Sequence, residues 1–174
     1  MGSKKRICIA LFIVFILCLN VLIIMKVNTD FIGELYNVKL HIVLSADSED
    51  EFQLFYTDTY DMFTPADMKV VHYNPEDETE KELTFTFSPD KRYFRFDPGE
   101  KSHIVRIKSV NYTYRKNLFQ MKPEDMTAPG RILNVDSVDV DGDEVVLHIS
   151  SEDPQILLPL DIKGLLDCDK RDNL

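Results

Sequence analysis

The chain has no tryptophan, only three cysteines and six glycines among 174 residues, and no carboxylate before Asp30. Each shortage excludes something. Cys8 and Cys18 fall inside one apolar run, which leaves Cys168 alone in the rest of the chain. An internal disulfide and a cysteine-built zinc site are both excluded there. A secreted eukaryotic domain of this size would more often carry bridges, so the pattern points to a bacterial cell surface. The four histidines, His41, His72, His103 and His148, lie far apart, with no close pair at the spacing that holds zinc. No Gly-x-Ser-x-Gly elbow and no glycine-rich phosphate loop occurs. The expectation from residues alone is a protein without a catalytic centre.

What the chain does have first is hydrophobicity. Residues 7–25 are apolar except for Asn20, and Lys4, Lys5 and Arg6 precede them. As a helix this run would rise ~28 Å, close to the ~30 Å hydrocarbon core of a bilayer. It is apolar all round, unlike a core helix with one greasy stripe. It is longer than a signal-peptide core, and no small-x-small cleavage site follows it. The segment just before Cys18 lacks the small residue of a lipidation site. The basic stub favours a cytoplasmic N-terminus. The expected layout is a cytoplasmic stub at 1–6, a transmembrane helix at 7–27 in the cell membrane, a linker at 28–35, an extracytoplasmic domain at 36–162 and a polar tail at 163–174.

Charge divides the same way. Twenty basic residues face 30 acidic ones, and four of the basic ones (Lys4, Lys5, Arg6, Lys26) precede residue 28. The remainder therefore carries 16 basic against 30 acidic residues, a net −14. That excludes nucleic acid and anionic lipid surfaces as general partners, because both need a basic face. A neutral ligand or a divalent cation is compatible with it.

Beyond residue 36 the pattern has period two. Val38, Leu40, Ile42 and Leu44 alternate with more polar neighbours, as do Phe52, Leu54 and Tyr56, and Leu83, Phe85 and Phe87. Strands are also expected at 68–73, 93–96, 104–114, 135–140, 144–149 and 155–160, with a bulge near Ser109, where the alternation slips. Turn signals separate them: Ser88-Pro89-Asp90-Lys91, Asp97-Pro98-Gly99-Glu100 and Asp141-Gly142. Residues 115–131, with two prolines and Gly130, read as a long loop. The fold class is all-β, an antiparallel sandwich of two packed sheets rather than a tight barrel, since glycine is scarce. Asn111-Tyr112-Thr113 matches a glycosylation sequon but reads here as part of a strand.

Four segments stand in a familiar order: Phe52-Gln53-Leu54-Phe55-Tyr56, Arg95-Phe96-Asp97-Pro98-Gly99, Val105-Arg106-Ile107-Lys108-Ser109-Val110 and Asp153-Pro154-Gln155-Ile156-Leu157. Over roughly residues 36–160 the set resembles jelly-roll β-sandwiches of the galactose-binding or carbohydrate-binding-module type. In particular it resembles extracytoplasmic modules attached to bacterial membrane proteins of cell-surface polysaccharide assembly. The resemblance implies a non-catalytic module that binds a cell-envelope glycan or assists polysaccharide assembly. The alternative is a docking module for a partner membrane protein such as a glycosyltransferase, and a third reading is a hydrolase of envelope sugars working through Asp58 or Asp61. With one apolar run in place of several, sugar transfer itself does not carry over.

Sugar contact calls for an aromatic platform with planar polar side chains beside it. The segment 56–63 is the candidate, with Tyr56, Asp58, Tyr60, Asp61 and Phe63, joined by Arg95. The competing reading packs these rings into the core and leaves Arg95 and Asp97, two apart on one strand face, to brace their turn. Residues 139–144 are acidic but read as a hairpin turn rather than a calcium loop, whose flanks are helices. No cofactor is expected. A structural calcium is left open, with residues 47–51 as its oxygen donors.

Overall fold

The computed structural model describes residues 3–60, 62–76, 79–115, 117–150, 152–164 and 166; within the N-terminal helix, side chains are described for 11–27 and 36. Asp61, Cys168, the side chains of the basic stub and the tail beyond 166 thus lie outside the described residues. The chain divides into two units, Met1–Tyr36 and Asn37–Leu174.

The first unit is one helix, α1 (Ser3–Tyr36). It takes in residues 28–35, where a linker was expected; that stretch contains no proline to break the ladder. The described side chains from Leu11 to Val27 are exposed around the whole circumference. Asn20, the one polar residue of the run, donates to the Ile16 carbonyl at 2.8 Å and so satisfies itself within the helix. Among the described residues no helix is long and apolar enough to cross a membrane. Residues 7–10 of the apolar run are not among the described side chains.

The second unit is a sandwich of two antiparallel sheets. The first sheet is built from β1 (Val38–Ala46), β4 (Lys81–Phe87), β6 (Ile104–Tyr114), β7 (Asn117–Met121), β9 (Ser137–Asp141) and β10 (Glu144–His148). Its order is β4-β1-β6-β10-β9, with β7 also on β6. The second comprises β2 (Asp50–Thr57), β3 (Met68–Tyr73), β5 (Tyr93–Asp97), β8 (Ile132–Leu133) and β11 (Gln155–Leu158), in the order β3-β2-β5-β11-β8. The period-two residues do what their spacing demands. Val38, Leu40, Ile42 and Leu44 are wholly buried, as are Phe52, Leu54 and Phe96. Phe52 stacks on Phe96 at 6.0 Å and meets the edge of Tyr73 at 5.7 Å, and Phe87 packs on Phe94 at 4.8 Å. These rings are the middle of the core.

The bulge lies where the alternation slips. Val43 pairs with Ser109, but the next residue, Leu44, pairs with Ile107, so Lys108 is the extra residue. This lets Ile107 and Val110, three apart, both face inward and both be about 1% exposed. Besides β1, the long β6 serves two further partners, β10 along Ile104 to Ile107 and β7 along Val110 to Tyr114.

Two expectations need correction. Residues 115–131 are not one long loop: β7 and a single helical turn, Pro123–Met126, lie within them. The β6–β7 connection passes through Arg115 at φ 54, a left-handed position filled without the glycine or asparagine that marks such hairpins. Within the stretch 163–174, expected as a polar tail, Leu166 packs against the core. At residues 139–144 the hairpin is observed: Asp141 pairs with Glu144 across Gly142, at φ 62.

One polar device fixes the turn after β5. Asp50 is buried, and its carboxylate accepts from the backbone N–H groups of Glu51, Lys101 and Ser102 at 2.8 Å and of Glu100 at 3.3 Å. Gly99, at φ 87, lies so close that a Cβ there would stand 2.3 Å from that carboxyl group. The Asp97-Pro98-Gly99 turn is therefore wrapped around Asp50.

Candidate ligand-binding face

The outward side chains of the second sheet follow from the same alternation. With Phe52, Leu54, Phe94 and Phe96 turned inward, β2 presents Gln53, Phe55 and Thr57 outward and β5 presents Tyr93, Arg95 and Asp97. Register sets them side by side: Gln53 opposite Asp97, Phe55 opposite Arg95, Thr57 opposite Tyr93. On the far side of β5, Leu157 of β11 is the neighbour of Arg95.

Arg95 is the centre of this face. Its guanidinium lies 4.3 Å over the Phe55 ring and 5.3 Å from the Phe63 ring, and the two rings meet edge to face at 6.4 Å. Its Nη2 donates to Asp97 Oδ2 at 2.8 Å. The Arg95 side chain is 18% exposed, and its Nε and Asp97 Oδ1 are buried without a hydrogen-bond partner among the described residues. Burial pushes the Asp97 carboxyl up to about 6, against the pull of Arg95; the charges of Asp153 and Glu100 add to the rise.

Two cavities flank the Phe55–Arg95–Phe63 stack. One, of about 360 Å³, is lined by acids, among them Glu51, Asp97, Glu100 and Asp153, together with Gln53, Arg95 and Lys101. The other, of about 250 Å³, is lined by Tyr60, Phe63, Arg92, Tyr93, Arg131 and an apolar floor that includes Leu157 and Pro159. Among the described residues no carboxylate lines this second cavity. Tyr60 is 73% exposed, yet its ring is held edge-on against Tyr93 at 5.4 Å.

Of the residues expected to form a site, Tyr60, Phe63 and Arg95 come together here. Tyr56 does not: it lies on the inner side of β2, stacked on Phe87 at 5.8 Å against the core. Asp58 is exposed, accepts from the Thr59 hydroxyl at 3.3 Å and lines neither cavity. Asp61 lies outside the described residues. The bracing role of Arg95 and Asp97 is real but partial, since both also line a cavity. Sequence reasoning missed Arg92 and Arg131 altogether. Arg92 stands between a turn and a strand and Arg131 beside Gly130, and neither position carries a periodic signal.

Among the described residues no group of three or more histidine, cysteine or carboxylate side chains is placed to hold a metal ion. In the 47–51 segment, Asp47 Oδ1 accepts from the backbone of His103 and Ile104, and Asp50 is occupied by the turn it pins. No family model matches the chain, and comparison with curated proteins and with solved structures finds no match.

Proposed function

We propose that this chain is a non-catalytic, membrane-anchored module whose extracytoplasmic β-sandwich binds a cell-envelope glycan on the outer face of the β3-β2-β5-β11-β8 sheet. The observation that carries the reading is the convergence there of Tyr60, Phe63 and Arg95, with Gln53 and Tyr93 beside them, between two cavities. Sugars present alternating C–H faces and hydroxyl rims. Aromatic rings meet the first, and planar polar side chains fixed by neighbours meet the second. The weave of the chain supports the jelly-roll reading: it passes between sheets at β1–β2, β3–β4, β4–β5 and β5–β6. Anchoring rests on the apolar run at 7–25 and on the exposed apolar circumference of α1, which needs an apolar surrounding. In this reading α1 is in the cell membrane with its N-terminus cytoplasmic.

The test is calorimetric titration of the full chain, held in uncharged detergent micelles, with polysaccharide fractions from the source organism's envelope. Saturable binding is expected, weakened at least fivefold by Tyr60→Ala and unchanged by Leu118→Ala on the other sheet. Absence of binding to every fraction would overturn the reading in favour of docking onto a partner membrane protein such as a glycosyltransferase.

A further inference from the structure

The two cavities of the outer face differ in sign. The larger collects acids, as expected of a chain with 30 of them. The smaller runs against the molecule's bias: among the described residues two arginines line it and no carboxylate does. The guanidinium groups of Arg92 and Arg131 have neither an ion pair nor a hydrogen bond among the described residues, whereas Lys91, Arg95 and Lys108 all reach carboxylates. Their backbones are nonetheless pinned. Arg92 N–H donates to the Thr57 carbonyl at 2.9 Å, Arg131 N–H to the Ala128 carbonyl at 3.0 Å, and the Arg131 carbonyl accepts from Leu157 N–H at 2.7 Å. Two arginines thus line one cavity from pinned backbones, with guanidinium donors that have no partner among the described residues.

We propose that this cavity takes the acid group, carboxylate or phosphate, of an anionic envelope sugar, with Arg92 and Arg131 as its counter-charges and Tyr60 as the ring on which that sugar stacks. The proposal rests on the glycan reading above and specifies its ligand. Guanidinium matches a carboxylate or phosphate edge with two parallel hydrogen bonds. The floor of Leu157, Leu158, Pro159 and Leu160 excludes water from one side and strengthens the attraction. Net charge governs long-range approach, but contact is decided by the sign of the lining, and here it is positive. The contact with Tyr93 restrains the exposed Tyr60 ring, so less freedom is lost when a sugar stacks on it.

The experiment uses the full chain in uncharged micelles and three probes: oligogalacturonate, the same oligomer after reduction of its carboxyl groups, and a glycerol phosphate oligomer. The expected result is saturable binding of at least one acidic probe, tenfold or more weaker for the reduced oligomer and for Arg92→Gln and Arg131→Gln. Arg131→Lys should recover only part of the loss, because it restores charge without the fork. Which acidic probe binds tells carboxylate from phosphate. Raising salt from 50 to 500 mM should weaken binding. Equal binding of acidic and reduced oligomers, with both glutamine variants silent, would overturn the acid-group assignment and leave the glycan face standing. Failure of all three probes, while the envelope fractions bind a variant and the wild type alike, would also overturn it. Failure of probes and envelope fractions together would overturn the glycan reading itself. Circular dichroism of each variant separates lost binding from lost fold.

Discussion

At the scale of single residues, Asp97 is the group whose surroundings most oppose its charge. One carboxylate oxygen is held by Arg95 and the other has no partner among the described residues, in a side chain only 11% exposed. With its carboxyl raised to about 6 from an ordinary 3.8, the folded protein holds a proton there that the unfolded chain has released. Between about pH 4 and pH 6 the native state therefore binds more protons, and stability falls as pH rises. The contribution is fully present below the ordinary value and is lost as pH climbs through about 6. Asn mimics the protonated form and removes the titration. The stability difference between Asp97→Asn and the wild type should therefore move in favour of the variant by about 2 kcal/mol from pH 4 to pH 7. Urea unfolding of both proteins across that range measures it. A difference that stays flat would mean that Arg95 fully offsets the burial.

At the scale of elements, the strands were legible because burial imposes period two, and most of the expected strands stand where the alternation put them. What could not be read was geometry that uses no signature residue. Arg115 takes a left-handed turn position without being glycine or asparagine, so β7 went unseen. Tyr56 looked like its exposed neighbours in the 56–63 segment, yet strand phase turns it inward. Half of the candidate face was readable for the same reason: Phe63 and Arg95 carried chemistry in sequence, while Arg92 and Arg131 gain meaning only when β5 and the segment before β8 meet. The bulge is the clearest case of pattern becoming structure. Removing Lys108 would leave Val43–Ser109 and Leu44–Ile107 as consecutive pairs and make the β1–β6 ladder regular. Deletion of Lys108 should therefore be tolerated, with only a small loss of stability from the lost bend. Deletion of Asn111 should abolish folding, since it puts Val110 and Tyr112 on opposite faces. Thermal melts of the two deletion proteins decide the matter. Equal damage from both would mean that the twist of the bulge, and not only its phase correction, holds the sheets together.

At the scale of the whole molecule, the two units pose opposite solvation problems. The sandwich turns its apolar residues inward and, Asp50 and Asp97 apart, buries no carboxylate among the described residues. Along its apolar run at 7–25 the helix turns the described apolar side chains outward on every side, and the run's single polar residue, Asn20, is satisfied internally. An aqueous surrounding suits the first and not the second, because each exposed methylene leaves about 0.8 kcal/mol ungained. In the anchoring proposed above, a bilayer would resolve the conflict, and the basic stub at Lys4, Lys5 and Arg6 would orient it. The full chain is therefore expected to stay with membranes through alkaline carbonate extraction. Ile16→Arg combined with Leu19→Arg should release it, since each arginine near the centre of the run costs about 2.5–3.5 kcal/mol. Protease added to intact spheroplasts should remove the sandwich and spare a tag placed before Lys4. A wild-type chain that carbonate extracts as readily as the double variant would sink the anchor, and with it the assignment of the glycan face to the cell surface.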